Sequence, residues 1–244
     1  FLKRTFEGYF KRIIIAGDGG EALQLVRSHV PDIIVSDVMM PRMNGYKLCK
    51  TIKEDINISH IPVILLTARD DRQSQISGYK NGADGYLSKP FEVEMLMELI
   101  RNRLKNREYT KKRYLNAGLI PTPEESTISL TDETFLIKLN SIIQENIENS
   151  NLGIQFICQE VGLGRSSLYN KLKALTGMGA NEYISKLRIE KAITLISGTD
   201  MPFSEIAEKT GFTTPSYFST AFKQYTGETP SQYKERTKKG LADK

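Results

Sequence analysis

The sequence predicts an α/β domain built on a doubly wound parallel sheet, followed by an all-α domain carrying two helix-turn-helix motifs. Three observations predict it. Apolar runs of the kind found in strands buried on both faces end in Asp37, Thr67 and Lys89, with helical spacing between them. A segment with two prolines and several Ser and Thr, residues 116–130, has no apolar period and reads as a linker. Beyond it, a pattern of helix, glycine-containing turn and helix occurs twice, about 50 residues apart.

In chain order, FLKRTFEGYF has helical apolar spacing at Phe1, Leu2, Phe6 and Phe10, and RIIIA, Arg12 to Ala16, reads as a short strand. GDGG makes a turn, with Asp18 better suited to a strand-to-helix loop than to a metal. Glu21 to His29 is a helix whose inner face is Ala22, Leu23 and Val26, stopped by Pro31. The strand DIIVSD ends at Asp37, and Pro41 and Gly45 force a tight loop after it. Helices are expected at Tyr46–Glu54, at Arg72–Asn81 and from Glu92 onward. In the last, Leu96, Leu99, Ile100 and Leu104 form the buried stripe, and the basic stretch NREYTKKRY, Asn106 to Tyr114, either continues the helix toward a partner or is its solvated end.

A doubly wound sheet gathers its strand ends on one rim. A carboxylate, a hydroxyl and an ammonium ending three strands suit phosphoryl transfer: Asp37 accepts the group while Thr67 and Lys89 bind its oxygens. Taken singly, Thr67 is an ordinary strand-end cap and Lys89 a solvated charge; the set in strand register carries the reading. SDVMMPRMNG, PVILLTA and GADGYLSKPF make residues 1 to about 107 resemble the receiver domain of bacterial two-component response regulators. The resemblance implies Asp37 as phosphoacceptor, Thr67 as switch hydroxyl, Tyr86 as switch aromatic, Lys89 as phosphate-binding lysine and a cis bond at Lys89-Pro90.

The sequence departs from that family at its start. A receiver begins with a strand bearing an acidic pair that holds Mg²⁺, about 45 residues before the phosphoacceptor, a position that falls before Phe1. The expectation is therefore a fragment whose sheet lacks its first, central strand. Asp37 and the backbone carbonyl of Met39 are the remaining metal ligands, too few for Mg²⁺. With the neighbour gone, RIIIA and DIIVS are expected to stand a strand apart, or else to collapse into direct pairing.

The second domain is expected to open at Thr131, with Thr131 as cap, Asp132 and Glu133 at the positive helix end, and Leu130 with Phe135 as staple. Phe135, Leu136, Leu139, Ile142, Ile143 and Ile147 form one apolar face. ICQEVGL at Ile157 then matches IAEKTGF at Ile206, and NKLKALTG at Asn170 matches TAFKQYTG at Thr220. Inner stripes are Leu168, Leu172 and Leu175 in one copy, and Phe218, Phe222 and Tyr225 in the other. Pointing outward are Arg165, Ser166, Tyr169, Asn170 and Lys173, then Thr213, Thr214, Ser216, Thr220 and Lys223. Hydroxyls and lysines suit phosphates, and Asn and Arg read adenine and guanine edges. One such helix is commonly just a solvated face; two in tandem point to double-stranded DNA. EIAEKTGFTTPSYFSTAFKQYTGETPSQYK makes residues 132 to about 238 resemble the DNA-binding domain of the AraC family of transcription regulators, with Asn181–Ile196 as its linker helix.

The composition of the 244 residues, 39% hydrophobic and 26% charged, agrees with two domains in a cytoplasmic protein. No apolar run reaches the roughly 20 residues that span a bilayer, so no membrane contact is expected. The net charge of +5 says nothing about nucleic acid, because its excess lies before the linker. Cys49 and Cys158 read as buried apolar residues, and His29 and His60 lack ligand neighbours. The expected organisation is a receiver at 1–115, a linker at 116–130 and an AraC-type domain at 131–244. The expected function is a phosphorylation-controlled, sequence-specific transcription regulator partnered by a sensor histidine kinase, with homodimerisation left open. A phosphorelay or interaction module at the end of a hybrid histidine kinase is the alternative. An enzyme acting on a diffusible substrate is disfavoured, as no Ser/His/Asp, metal or nucleotide-loop constellation occurs.

Overall fold

The computed structural model describes residues 6–68, 82–116 and 129–242. The expected helix Arg72–Asn81, most of the expected linker, and Phe1 and Leu2 lie outside them. The chain divides into two compact units, residues 1–134 with 174–177, and residues 135–173 with 178–244.

The first unit contains α1 (Gly19–His29), β1 (Ile34–Asp37), α2 (Gly45–Glu54), β2 (Val63–Ala68), β3 (Gly85–Lys89) and α3 (Val93–Asn116). The strands form a parallel sheet in the order β1-β2-β3. Its two faces bury separate clusters. Val26, Leu48, Cys49, Ile52, Ile58, Val63 and Leu65 lie on one side; Ile64, Leu66, Leu87, Leu96, Met97 and Ile100 lie on the other. Strand residues alternate between these faces, as period 2 requires. Each fully buried Leu or Ile contributes about 1.5–3 kcal/mol. The Asp18 carboxylate starts α1 by accepting from the N–H groups of Gly20 and Glu21, and Asn44 caps α2 by accepting from Lys47 N–H. A buried ion pair adds rigidity: Lys53 Nζ lies 2.7 Å from the Asp84 carboxylate and donates to the carbonyl oxygens of Ser59 and Ile61. The basic stretch after Leu104 continues α3 without a break to Asn116.

Arg12–Ala16, expected as a strand, has no ladder partner among the described residues and is not a strand. An isolated strand has none of its backbone groups paired, so without a neighbour RIIIA gains nothing from the extended conformation. Ile14 and Ile15 are accordingly exposed. Direct pairing with β1, the collapsed alternative, does not form.

The second unit holds most of α4 (Leu130–Glu145), then α5 (Ile154–Val161), α6 (Arg165–Thr176, all but its last three residues), α7 (Ala180–Gly198), α8 (Phe203–Lys209), α9 (Pro215–Thr226) and α10 (Pro230–Ala242). Helix α4 starts two residues earlier than a Thr131 cap would place it, because Ser129 is the cap. Asp132 N–H donates to Ser129 Oγ, whose hydroxyl donates back to the Asp132 carboxylate. At the start of α10, Thr229 and Gln232 form a reciprocal capping box ahead of Pro230.

Candidate nucleic-acid interface and phosphoryl-transfer rim

The two helix-turn-helix copies match bond for bond. Leu163 N–H donates to Cys158 O at 3.0 Å, and Phe212 N–H to Ala207 O at 2.9 Å; Gly162 N–H donates to Gln159 O, and Gly211 N–H to Glu208 O. Gly162 and Gly211 adopt φ of 72° and 73°, a left-handed conformation that glycine reaches without steric cost. The turn is therefore encoded by the same residue in both copies. The second helices then enter differently. Helix α9 is capped by Thr214, whose hydroxyl accepts from Tyr217 N–H, with Pro215 in the first turn; α6 follows directly on Gly164.

All ten outward residues expected from the sequence are exposed: Arg165, Ser166, Tyr169, Asn170 and Lys173 on α6, Thr213 and Thr214 in the second turn, and Ser216, Thr220 and Lys223 on α9. Some already have partners. Arg165 donates to Gln155 of α5 at 3.2 Å, the Thr220 hydroxyl donates to Ser216 O, and Lys173 lies 3.9 Å from Glu182. Leu168, Leu172, Phe218 and Phe222 are buried as expected. Tyr225 is not part of the inner stripe: it is 39% exposed and its hydroxyl donates to the Glu190 carboxylate on α7 at 3.2 Å. It occupies the last turn of α9, past the end of the Phe212, Phe218 and Phe222 cluster. Burial pushes the Glu190 carboxyl upward, against the pull of Lys186 and Tyr225, and the same surroundings raise the Tyr225 phenol. The sequence reading missed Tyr217, which is 57% exposed beside Ser216 and Thr220. It also did not single out Lys171, which is fully buried, its ammonium 5.1 Å from the Phe135 ring centroid.

In the first unit the strand ends bring the expected rim residues to neighbouring register positions. Asp37 lies opposite Leu66, Thr67 opposite Ser88 and Ala68 opposite Lys89. The Asp37 carboxylate accepts from Lys89 Nζ and from Met39 N–H. The Thr67 side chain is buried, its hydroxyl directed to Ala68 O at 3.3 Å, whereas Asp37 and Lys89 are partly open to solvent. Tyr86 is half-buried against the cluster that contains Leu48 and Leu65. The Lys89-Pro90 bond is cis. A Cβ on Gly45 would lie 2.3 Å from Asp37 O, so only glycine lets the start of α2 pack against the end of β1.

Arg42, which the sequence reading did not single out, pairs with Asp18 from a left-handed position at φ 61°. Asp18 is buried and committed to α1 and to Arg42, so it is not a spare ligand beside Asp37. Among the described residues no three His, Cys, Asp or Glu side chains group as a metal site. A receiver implies Mg²⁺; the single carboxylate of Asp37 and the Met39 carbonyl do not fit it. Among the described residues, too, no helix is long and apolar enough to cross a membrane.

Comparison with known proteins agrees with this division. Residues 1–101 match the family model for a response regulator receiver domain, and residues 157–236 that for a helix-turn-helix domain. Neither is a family of enzymes acting on diffusible substrates. The chain is 42% identical over 236 residues to Histidine kinase P4 of Formosa agariphila, covering 97% of this chain but 17% of that protein. It is 30% identical over 181 residues to the probable transcriptional regulator ycf29 of Pyropia yezoensis, covering 70% of this chain and 82% of that one. Among solved structures, the C-terminal domain of AraT, a response regulator from Geobacillus stearothermophilus, is similar at 31% identity and a TM-score of 0.40, over 42% of this chain and 84% of that one. With a receiver match over its first half, a helix-turn-helix match over its second and a regulator relative covered over most of its length, the chain belongs to the response regulators that join a receiver domain to an AraC-type helix-turn-helix domain.

Proposed function

We propose that this chain is a transcription regulator that binds double-stranded DNA sequence-specifically through α6 and α9, under the control of phosphorylation at Asp37. The observation that carries the DNA reading is the repetition: two turns matched hydrogen bond for hydrogen bond, each followed by a helix with an exposed polar face. A single polar helix face is ordinary; two built alike on one connecting helix suit two successive major grooves. Arg165 and Asn170 are the residues assigned to base edges. Ser166, Tyr169 and Lys173, with the hydroxyls and Lys223 of the second copy, are assigned to backbone contacts.

Control is assigned to the rim. An Asp37 oxygen attacks the phosphorus of a kinase phosphohistidine; the P–N bond breaks and the imidazole takes its electron pair. Lys89, already against the carboxylate, then balances the added negative charge, and Thr67, at the end of β2, is assigned as the hydroxyl that follows it. The identity with Histidine kinase P4 along 97% of this chain favours a second setting for the same activity, in which both domains are one region of a larger kinase polypeptide.

Duplexes selected from a randomised library by the full chain test the proposal. Arg165→Ala should weaken binding to the selected duplex by about 1–3 kcal/mol and relax preference at one position. Lys173→Ala should weaken all duplexes alike and lower the salt slope by about 1. Unchanged affinity and salt dependence in both variants would remove α6 from the interface.

A further inference from the structure

The two matched turn glycines meet different surroundings. A Cβ on Gly162 would meet nothing within 4 Å, whereas one on Gly211 would lie 2.1 Å from Ile147 O and 2.9 Å from Nε and Nη2 of Arg188. The turn of the second copy is thus pressed against the segment just after α4, on the first copy's side, with Arg188 of α7 beside it. Arg188 touches both the loop that leads into the first copy and the turn of the second. Its Nη2 donates to Asn149 O at 2.7 Å, in the α4–α5 loop, and its Cζ lies 5.9 Å from the centroid of the Phe212 ring in the second turn. Nε is buried without a hydrogen-bond partner, so packing and the one Asn149 bond hold the group. Nearby, Lys191 pairs with Glu148 at 3.2 Å, a second tie from α7 to the same loop.

We propose that Arg188 is the positioning residue that fixes the second recognition helix relative to the first, by bridging Asn149 and the Gly211–Phe212 turn. The inference rests on the two-site DNA reading for its functional consequence, though its geometry stands without it. A planar guanidinium can face an aromatic ring and donate to a carbonyl at the same time; an ammonium on a flexible stem cannot do both with the same reach. Arg188→Lys therefore keeps the charge and removes the bridge. Gly211→Ala attacks the same contact from the other side.

Electron–electron resonance distances between spin labels at Gln159→Cys and Glu208→Cys test it. These are exposed, matched positions on α5 and α8, and the labels are placed in the full chain on a Cys49→Ala, Cys158→Ala background. The parent should give one narrow distribution, and Arg188→Lys a broadened or shifted one, with helix content retained by circular dichroism. A folded Arg188→Lys chain with the parent's distribution would overturn the proposal. Should that variant lose its helices, Gly211→Ala decides by the same measurement. On DNA, linked sites gain about 10²-fold or more over a single site. In Arg188→Lys the ratio of affinities for the selected duplex and one with its second half-site scrambled should fall about 10-fold, with one-site affinity unchanged; an unchanged ratio counts against the bridge. A parent chain that binds no duplex would refute the proposed function and leave the distances to judge Arg188.

Discussion

Gly45 and Cys49 show how single residues in the first unit constrain the rim and the core beneath it. Because a Cβ at 45 would meet Asp37 O at 2.3 Å, Gly45→Ala must push α2 off the end of β1. A cost of about 2 kcal/mol or more is expected in urea unfolding of the receiver unit. One turn on, the Cys49 thiol is fully buried and burial pushes its pKa up to about 12 from 9.0. The unfolded chain loses this proton first, so the contribution is complete below pH 9 and declines as pH rises from 9 towards 12. The slope approaches about 1.4 kcal/mol per pH unit. Comparing urea midpoints from pH 8 to 11 with those of Cys49→Ala should show a steeper fall in the parent; parallel curves would contradict it. Residues such as Cys49, Leu168 and Phe218 were legible in the sequence because apolar character at a helical period specifies burial. Arg188 and Lys171 were not, since a cation's place inside depends on which ring and which carbonyl the tertiary fold brings to it. Tyr225 was misassigned because spacing gives the face of a helix but not where its neighbour ends.

At the scale of elements, helices with caps and glycine stops lay within one or two residues of their sequence-based limits, as at Gly45–Glu54 and Ala180–Gly198. The strand expected at Arg12–Ala16 did not form, because a strand is a property of a pair and, among the described residues, no ladder reaches this segment. The same rim decides the chemistry. Asp37 and the Met39 carbonyl do not amount to a Mg²⁺ site, and Asp18 is engaged elsewhere.

For the molecule as a whole, the central claim is that two like-built helix-turn-helix copies on one connecting helix read DNA together. Tandem repetition was the sequence's strongest signal for this, as one exposed polar helix says little while two with matched turns specify a spacing. Hydroxyl-radical footprinting of the full chain on a selected duplex tests the claim most directly. Two protected patches per monomer should lie on one face of the duplex, about 10 base pairs apart, and inserting about 5 base pairs between them should abolish the second patch and lower affinity. A single patch, or affinity unchanged by the insertion, would contradict it.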